Sequence, residues 1–422
     1  MESVFEKKEC TRAVLVSVRT DGTEDEYEAS LAELGRLLET AGGEVYAEVV
    51  QNREYPDKRT YVGSGKLEEI KELCISGNAD LVVFDGELTP SQIRNCEGEL
   101  DDVRVIDRPM LILDIFALHA ATGEGKLQVE LAQLKYTLPR LTGKGKEMSR
   151  LGGGIGTRGP GESKLQTDRR HVMHRIEALE SQARELEKNR MTQRAQRDRS
   201  GLFRFAVAGY TNAGKSTLTN ALTGAGILAE DKLFATLDPT TRKYTLPDGT
   251  DILLTDTVGF IRNLPTQLIK AFRSTLDEVV FSDGIIVVAD ASDPEIERQL
   301  DVTEDLIAEL GAGGKPVLYV FNKCDKCEVM PRHLCVKDRD AVFISALTGE
   351  GMEQLQSALS RIANGNNTRE ILTMPQTAGA AVAYLYKNAT VHSCEYGENI
   401  TVDVTLDKKT RGTIMKMLGD VK

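Results

Sequence analysis

Gly209-Tyr210-Thr211-Asn212-Ala213-Gly214-Lys215-Ser216 follows the apolar run Phe203–Ala208 and leads into a segment of helical character that starts near Lys215. This is the spacing of a P-loop set between a strand and a helix. Its glycines let backbone N–H groups curl around phosphates, and the helix N-terminus adds a dipole that favours an anion. Lys215 is placed to reach the β- and γ-phosphates, and the Ser216 hydroxyl to coordinate Mg2+. Two look-alikes, Gly65-Lys66-Leu67 and Gly125-Lys126-Leu127, lack both the earlier glycine and the hydroxyl, and read as ordinary helix starts.

The segments that follow carry the rest of a guanine-nucleotide site. Asp256-Thr257-Val258-Gly259 comes after the apolar run Ile252–Leu254. A carboxylate at a strand end supplies an outer-sphere contact to Mg2+, and the Gly259 amide can sense a γ-phosphate. Asn322-Lys323-Cys324-Asp325 ends the run Val317–Phe321. Asp325 can accept hydrogen bonds from guanine N1–H and the exocyclic amine, a pair that adenine does not offer. Ser345-Ala346-Leu347 follows Ala341–Ile344 and can present a backbone N–H to guanine O6. Phe234-Ala235-Thr236-Leu237-Asp238-Pro239-Thr240 lies where a switch loop needs a hydroxyl that binds Mg2+ only while the γ-phosphate is present. Thr236 is the first choice for that hydroxyl, with Thr240 and Thr241 as rivals that spacing alone does not separate. Lys215, Thr236 and Gly259 are the expected catalytic set. Many GTPases place Gln directly after the glycine of the third motif to orient the attacking water, whereas here that residue is Phe260. A phenyl ring neither donates nor accepts, so intrinsic hydrolysis is expected to be slow, with a partner, ion or rearrangement completing the site.

The chain has 422 residues, a length that suggests two to four domains. Hydrophobic residues make up 41% and charged residues 28%, the balance of a soluble globular protein. Apolar runs such as Gly284–Ala289 suit a buried strand and fall short of a bilayer span. The N-terminus has no basic-then-apolar signal pattern, so a cytoplasmic protein with no membrane partner is expected. Seven scattered cysteines argue for reduced thiols rather than a disulfide framework. Cys324, Cys327, His333 and Cys335 invite a zinc reading, but Cys324 falls inside the guanine motif, and a metal there would compete with nucleotide contacts. Net charge is −12 and unevenly spread: residues 131–205 hold 17 Lys and Arg against 8 Asp and Glu, while the remainder holds 36 against 57. The basic stretch is a candidate footprint for a phosphate backbone, although part of it also suits a solvated helical surface.

Taken together, the expected fold is α/β and multidomain. Residues 1–122 alternate strands and helices, as in an N-terminal α/β domain with a mostly parallel sheet. In residues 123–200, Leu127, Leu131, Leu134 and Leu138 form one heptad seam, and Val172, Ile176, Leu179, Ala183 and Leu186 form another. Two seams separated by a loop predict an antiparallel helical hairpin. The loop, Leu151 to Gly161, is glycine-rich and flanked by cations; Arg150, Arg158, Lys164, Arg169 and Arg170 are its candidate RNA contacts. The same composition suits a linker, and composition leaves the two open. Residues 201–366 read as a Ras-like P-loop G domain. Residues 367–422 read as a small α+β C-terminal domain, with strands at Ala380–Tyr386 and Ile400–Leu406 and a helix at Lys408–Leu418.

The runs Leu233–Thr240 and Asp256–Arg262, together with Tyr61-Val62-Gly63-Ser64-Gly65-Lys66 and Gly152–Glu162, resemble the HflX family of the Obg–HflX branch of translation-factor-related GTPases. The resemblance covers roughly residues 10–365 and is loose over the C-terminal 50 residues. It implies a cytoplasmic GTPase that binds the large (50S) ribosomal subunit and acts in ribosome splitting, rescue or recycling under stress, and in ribosome assembly; separately, a monomer is expected. By this resemblance Ser216 and Thr236 hold Mg2+, and residues 209–216, 234–238, 256–259, 322–325 and 345–347 line the GTP/GDP site. Phe260 is shared with the family, and the RNA-contact reading of the glycine-rich loop gains support. The alternative is a nucleotide-gated assembly or anti-association module in which hydrolysis is incidental.

Overall fold

The structure is a computed structural model that describes residues 11–20, 23–101, 103–141, 164–198, 201–224, 233–234, 239–262, 273–331, 340–365 and 367–419. It opens with four strands, β1 (Thr11–Arg19), β2 (Gly43–Asn52), β3 (Leu81–Phe84) and β4 (Arg104–Asp107), in the spatial order β2-β1-β3-β4. Every pairing in this sheet is parallel. The connections are α1 (Glu24–Thr40), α2 (Ser64–Gly77) and α3 (Pro90–Glu99), and α4 (Arg108–His119) follows β4 directly. Ala13, Val14, Leu15 and Val16 of β1 are fully buried because successive side chains serve opposite faces. Ala13 and Leu15 join Leu34 and Leu38 of α1 and Leu111 of α4, while Val14 and Val16 join Ile70 of α2 and Cys96 of α3.

The expected helical hairpin consists of α5 (Gly123–Thr137) and α6 (Lys164–Asp198). Glu124–Arg190 at 2.8 Å and Lys135–Glu180 at 2.7 Å pair the helices in antiparallel order, and Glu130–Arg175 at 2.7 Å adds a third bridge between them. The leucine seam of α5 is half-buried, and Ile176 and Leu179 of α6 are buried. Behind that seam, Val129, Ala132 and Tyr136 of α5 extend the core on the α1–α4 face of the N-terminal sheet, so α5 has two apolar sides.

The second sheet runs β10-β9-β8-β5-β7-β6 and comprises β5 (Phe203–Gly209), β6 (Thr240–Thr245), β7 (Asp251–Asp256), β8 (Gly284–Asp290), β9 (Val317–Asn322) and β10 (Asp340–Phe343). Only the β6–β7 edge is antiparallel. Phe205 and Val207 of β5 face α7 (Lys215–Thr223) and α10 (Met352–Asn364). Ala206 and Ala208 face α8 (Arg273–Phe281) and α9 (Ile296–Glu309). This is the P-loop G fold expected from the sequence, with its loops gathered at the carboxyl ends of the parallel strands, where open α/β sheets bind ligands.

The C-terminal segment corrects one expectation. Ala380–Tyr386 is not a strand: it lies within α11 (Gly379–Asn388), between β11 (Asn367–Pro375) and β12 (Thr390–Tyr396). Ala381, Val382 and Leu385 are buried while Ala383 and Tyr386 are exposed, a three-to-four-residue period that a strand does not produce. β13 (Asn399–Asp407) pairs antiparallel with both β11 and β12, and α12 (Lys408–Gly419) follows it. Val382→Ala and Leu385→Ala should each lower C-terminal stability, by about 1 and 2–5 kcal/mol respectively, and Ala383→Ser by less than about 0.5 kcal/mol. Hydrogen exchange of peptides spanning residues 371–406 measures this, and an alternating pattern of losses would restore the strand.

Candidate nucleotide-binding site

β5 delivers the chain to Gly209 at φ +142°, where an added Cβ would sit 2.1 Å from the Val288 carbonyl oxygen. Gly214, at φ +91°, caps α7, and a Cβ there would lie 2.3 Å from Asn322 Nδ2. Both positions therefore need glycine, for backbone conformation and for space. Between them the loop places Lys215 as the first residue of α7, nearly buried, with Nζ donating to the carbonyls of Gly209 at 3.1 Å and Tyr210 at 2.7 Å. Burial pulls its ammonium down to about 8, against the opposing pull of the Asp256 carboxylate. A phosphate placed on this ammonium would favour its charged form.

Ser216 Oγ donates to Asp256 Oδ2 at 2.7 Å, so the hydroxyl and the carboxylate expected to serve Mg2+ meet at the end of β7. Thr257 Oγ1 donates to the Val207 carbonyl at 2.7 Å and locks the third motif to β5. A Cβ on Gly259 would stand 2.9 Å from Lys215 Nζ and 2.7 Å from Thr211 Cγ2, which brings the backbone of the third motif against the P-loop. Phe260 then forms a parallel bridge to Tyr210: its amide donates to the Gly209 carbonyl at 3.0 Å, and its carbonyl accepts from the Thr211 amide at 2.8 Å. The phenyl ring is buried in the core on the α8–α9 side of the sheet.

Asn322 joins the guanine motifs to the P-loop. Its Nδ2 donates to the Ala213 carbonyl at 3.0 Å and its Oδ1 accepts from the Ala346 amide at 2.9 Å. Lys323, at φ +63°, turns the chain and pairs with Asp290 at 2.7 Å. Asp325 accepts from Ser345 Oγ at 2.6 Å, so both guanine loops meet at one carboxylate. Leu347 is 78% exposed at the outer rim. Cys324 is buried, its Sγ 3.3 Å from the Phe321 carbonyl, and burial pushes its thiol up to about 11. His333 and Cys335 lie outside the described residues, among which no metal-ligating cluster occurs.

Of the other expected site residues, Ala235, Thr236, Leu237 and Asp238 lie outside the described residues, as do Arg150 and Arg158. Phe234 is buried at φ +57° with its ring edge-on to Phe116 of α4, centroids 4.6 Å apart. Thr240 sits in β6 opposite Asp256, and Thr241 shares a 2.9 Å hydrogen bond with Thr255 within the sheet. That bond makes Thr241 part of the sheet's own hydroxyl pairing. Arg169 and Arg170 are exposed on the first turns of α6, remote in sequence from the P-loop.

Tyr210, expected only as part of the P-loop, turns its side chain to the junction of the two sheets, where Glu33, Arg108 and Arg262 are residues that the sequence does not announce. The Tyr210 hydroxyl donates to Glu33 of α1 and accepts from the Arg262 amide at 2.8 Å. Arg108 lies between Glu33 at 3.2 Å and Asp85 at 3.1 Å. The available signal was a carboxylate at position 33 within the apolar stripe Leu31, Leu34, Leu37 and Leu38.

Family models match along the chain: a GTP-binding GTPase N-terminal region at residues 28–117, a GTP-binding GTPase middle region at 119–197, and a 50S ribosome-binding GTPase at 204–323. A GTPase HflX from Lacrimispora saccharolytica is 51% identical over 363 residues, covering 86% of this chain and 85% of its own length. The chain belongs to the HflX GTPase family. The HflX of Alkalihalophilus pseudofirmus is 43% identical over 94% of this chain and 93% of its own, and that of Escherichia coli K12 is 40% identical over 89% and 88%. A GDP-bound GTP-binding protein from Sulfolobus solfataricus is 27% identical, with a TM-score of 0.43, covering 84% of this chain and 99% of its own. As a member of this family the chain is a GTPase. Asn322→Ala should lower affinity for a fluorescent GDP about 10- to 100-fold through the loss of two hydrogen bonds, while preference over ADP is kept. Asp325→Ala should instead lose that preference, and equal base discrimination in both variants would refute the division of roles.

Proposed function

We propose that this GTPase binds the large (50S) ribosomal subunit in its GTP form, is released on hydrolysis, and acts in ribosome splitting, rescue or recycling under stress. The observation that carries the reading is the match of residues 204–323 to a 50S ribosome-binding GTPase. The basic helical pair supports it, with Arg169, Arg170, Arg184 and Lys188 at exposed positions of α6. Exposed cations on a rigid rod suit a phosphate backbone. In this reading residues 123–200 form the RNA-contacting unit, between an N-terminal unit (1–122) and a G domain (201–366), with residues 367–422 as a C-terminal unit.

Within the G domain, residues 209–216, 256–259, 322–325 and 345–347 line the nucleotide, with the switch loop 234–238 completing it. Ser216 and Asp256 are hard oxygen donors of the kind Mg2+ takes, and Thr236 supplies the second hydroxyl. When bound, the ion would neutralise charge on the β- and γ-phosphates. Lys215 binds those phosphates, and the Gly259 amide senses the γ-phosphate. Phe260 is committed to the core, so the intrinsic rate is slow and 50S raises it. No helix among the described residues is long and apolar enough to cross a membrane, and the proposed setting is the cytoplasm, as a monomer.

Sucrose-gradient sedimentation with 50S subunits tests this. Binding is expected with a non-hydrolysable GTP analogue rather than GDP, and should fall steeply as salt rises. Replacing Arg158, Lys164, Arg169 and Arg170 together by Ala should weaken sedimentation and leave nucleotide affinity unchanged; unchanged sedimentation would remove the helical pair from the interface. A GTPase rate that 50S leaves unaltered, with GTP-dependent binding intact, would favour the nucleotide-gated assembly or anti-association module.

A further inference from the structure

Arg262, three residues beyond Gly259, is gripped at each of its polar ends. Its amide donates to the Tyr210 hydroxyl at 2.8 Å, and its carbonyl accepts from Arg108 Nη1 at 3.4 Å. Its guanidinium Nε lies 3.6 Å from Glu33 Oε2, the same carboxylate that accepts from the Tyr210 hydroxyl. Glu33 and Arg108 belong to the N-terminal sheet's helices, and their side chains are 2% and 1% exposed. Arg108 is fixed in turn: Nε faces Asp85 Oδ1 at 3.1 Å and Nη2 donates to the Ser30 carbonyl at 3.1 Å. Ser30 Oγ donates to Asp85 Oδ2 at 2.8 Å. Three carboxylates, Glu33, Asp85 and Glu295, the last 3.5 Å from Arg262 Nη2, thus surround two guanidiniums, Arg108 and Arg262, at the junction of the sheets. Val258 and Ile261 enter the apolar core on the α1–α4 face of the N-terminal sheet beside this cluster, so the segment after β7 is held by packing as well as by charge.

The opposite end of this short segment is Gly259. With a Cβ position only 2.9 Å from Lys215 Nζ, its backbone stands close enough for one phosphate oxygen to touch both the amide and the ammonium. That placement depends on a segment whose far end is tied to another part of the chain.

We infer that Glu33 and Tyr210 are positioning residues for GTP hydrolysis: the α1 carboxylate, acting through the Tyr210 hydroxyl, braces Arg262 and thereby holds the Gly259 amide at the γ-phosphate position. The N-terminal sheet supplies part of the G domain's preorganisation in cis. The hydroxyl acts on the γ-phosphate side: Tyr210 serves the P-loop through its backbone carbonyl, which takes Lys215 Nζ and is kept in Tyr210→Phe, while the guanine loops and Gly209 are held by Asn322, Asp325 and the pairing with Val288. The inference rests on the reading of Gly259 as the γ-phosphate sensor.

The test uses the full chain without ribosomes: single-turnover GTP hydrolysis, with affinities for fluorescent GDP and for a non-hydrolysable GTP analogue. Tyr210→Phe keeps the ring and deletes the hydroxyl that joins Glu33 to the Arg262 amide. It should lower the rate at saturating GTP about tenfold and weaken the GTP analogue by a similar factor, with GDP affinity within about twofold. Glu33→Gln, which keeps the shape and removes the charge, should reproduce the same split. Exchange of the Arg262 amide should accelerate in Tyr210→Phe. Wild-type rate and analogue affinity in both variants would overturn the brace, and so would an equal loss of GDP and analogue affinity, which marks general damage. Gly259→Ala separates the two readings: if it leaves hydrolysis and analogue affinity unchanged, the sensor assignment fails; if it impairs them while Tyr210→Phe does not, the brace alone fails.

Discussion

The side chain of Asn322 holds the proposed nucleotide site together. Its amide nitrogen reaches the P-loop at Ala213 and its amide oxygen takes the Ala346 amide, so one planar group fixes the phosphate loop relative to the guanine loops. The same nitrogen fills the space beside Gly214, so that residue has no room for a side chain. An amide suits the position because it donates and accepts at once without charge, which a buried carboxylate or ammonium would not do. Without it, Asp325 and Ser345 would remain hydrogen-bonded to each other but would drift as a unit from Lys215 and Ser216. In the proposed site the base and the phosphates belong to one covalently joined ligand, so their protein partners must keep a fixed spacing.

The second constraint is the cost of burying charge between the sheets. Glu33 and Arg108 are almost wholly withdrawn from water, and burial pushes the Glu33 carboxyl above its usual range even with Arg108, Tyr210 and Arg262 opposing that. Such a cluster gives little net stability, because desolvation offsets most of the Coulombic gain, while loss of one member leaves the others exposed to the full penalty. Its value lies in geometry. Apolar contacts such as Phe116 against Phe234 tolerate sliding, whereas the Tyr210–Glu33–Arg108–Asp85 chain permits few arrangements. The two interactions divide the labour, with packing supplying the adhesion and charge setting the register.

Much of this was legible in the sequence because it is local. The P-loop, the carboxylate ending β7 and the asparagine ending β9 are each announced by a short apolar run followed by residues of special chemistry. In a parallel sheet those runs are the strands themselves. Ala380–Tyr386 is the exception, because a short apolar run does not by itself separate a helix from a strand, and its Ala-rich composition favours the helix it forms. The Tyr210–Glu33 contact spans 177 positions and carries no local pattern. Its trace was a carboxylate on the apolar face of α1, which marks a partner without saying which one. Tyr210 reads as a P-loop residue of free choice until the fold brings α1 to it.

Phe260 gains its meaning from that same long-range contact. Read alone, a phenyl where a water-orienting amide is expected looks like a lost function. In the fold its backbone is stitched to Gly209 and Thr211 on both sides, and its ring anchors the α8–α9 core. A polar residue there would either unmake that core or bury an unsatisfied amide, so the site trades a mobile catalytic side chain for a fixed backbone. A fixed backbone is useful only if its far end is also fixed. The grip on Arg262 from Tyr210, Arg108 and Glu33 meets that requirement, and it ties the position of residues 256–262 to how the N-terminal sheet is docked.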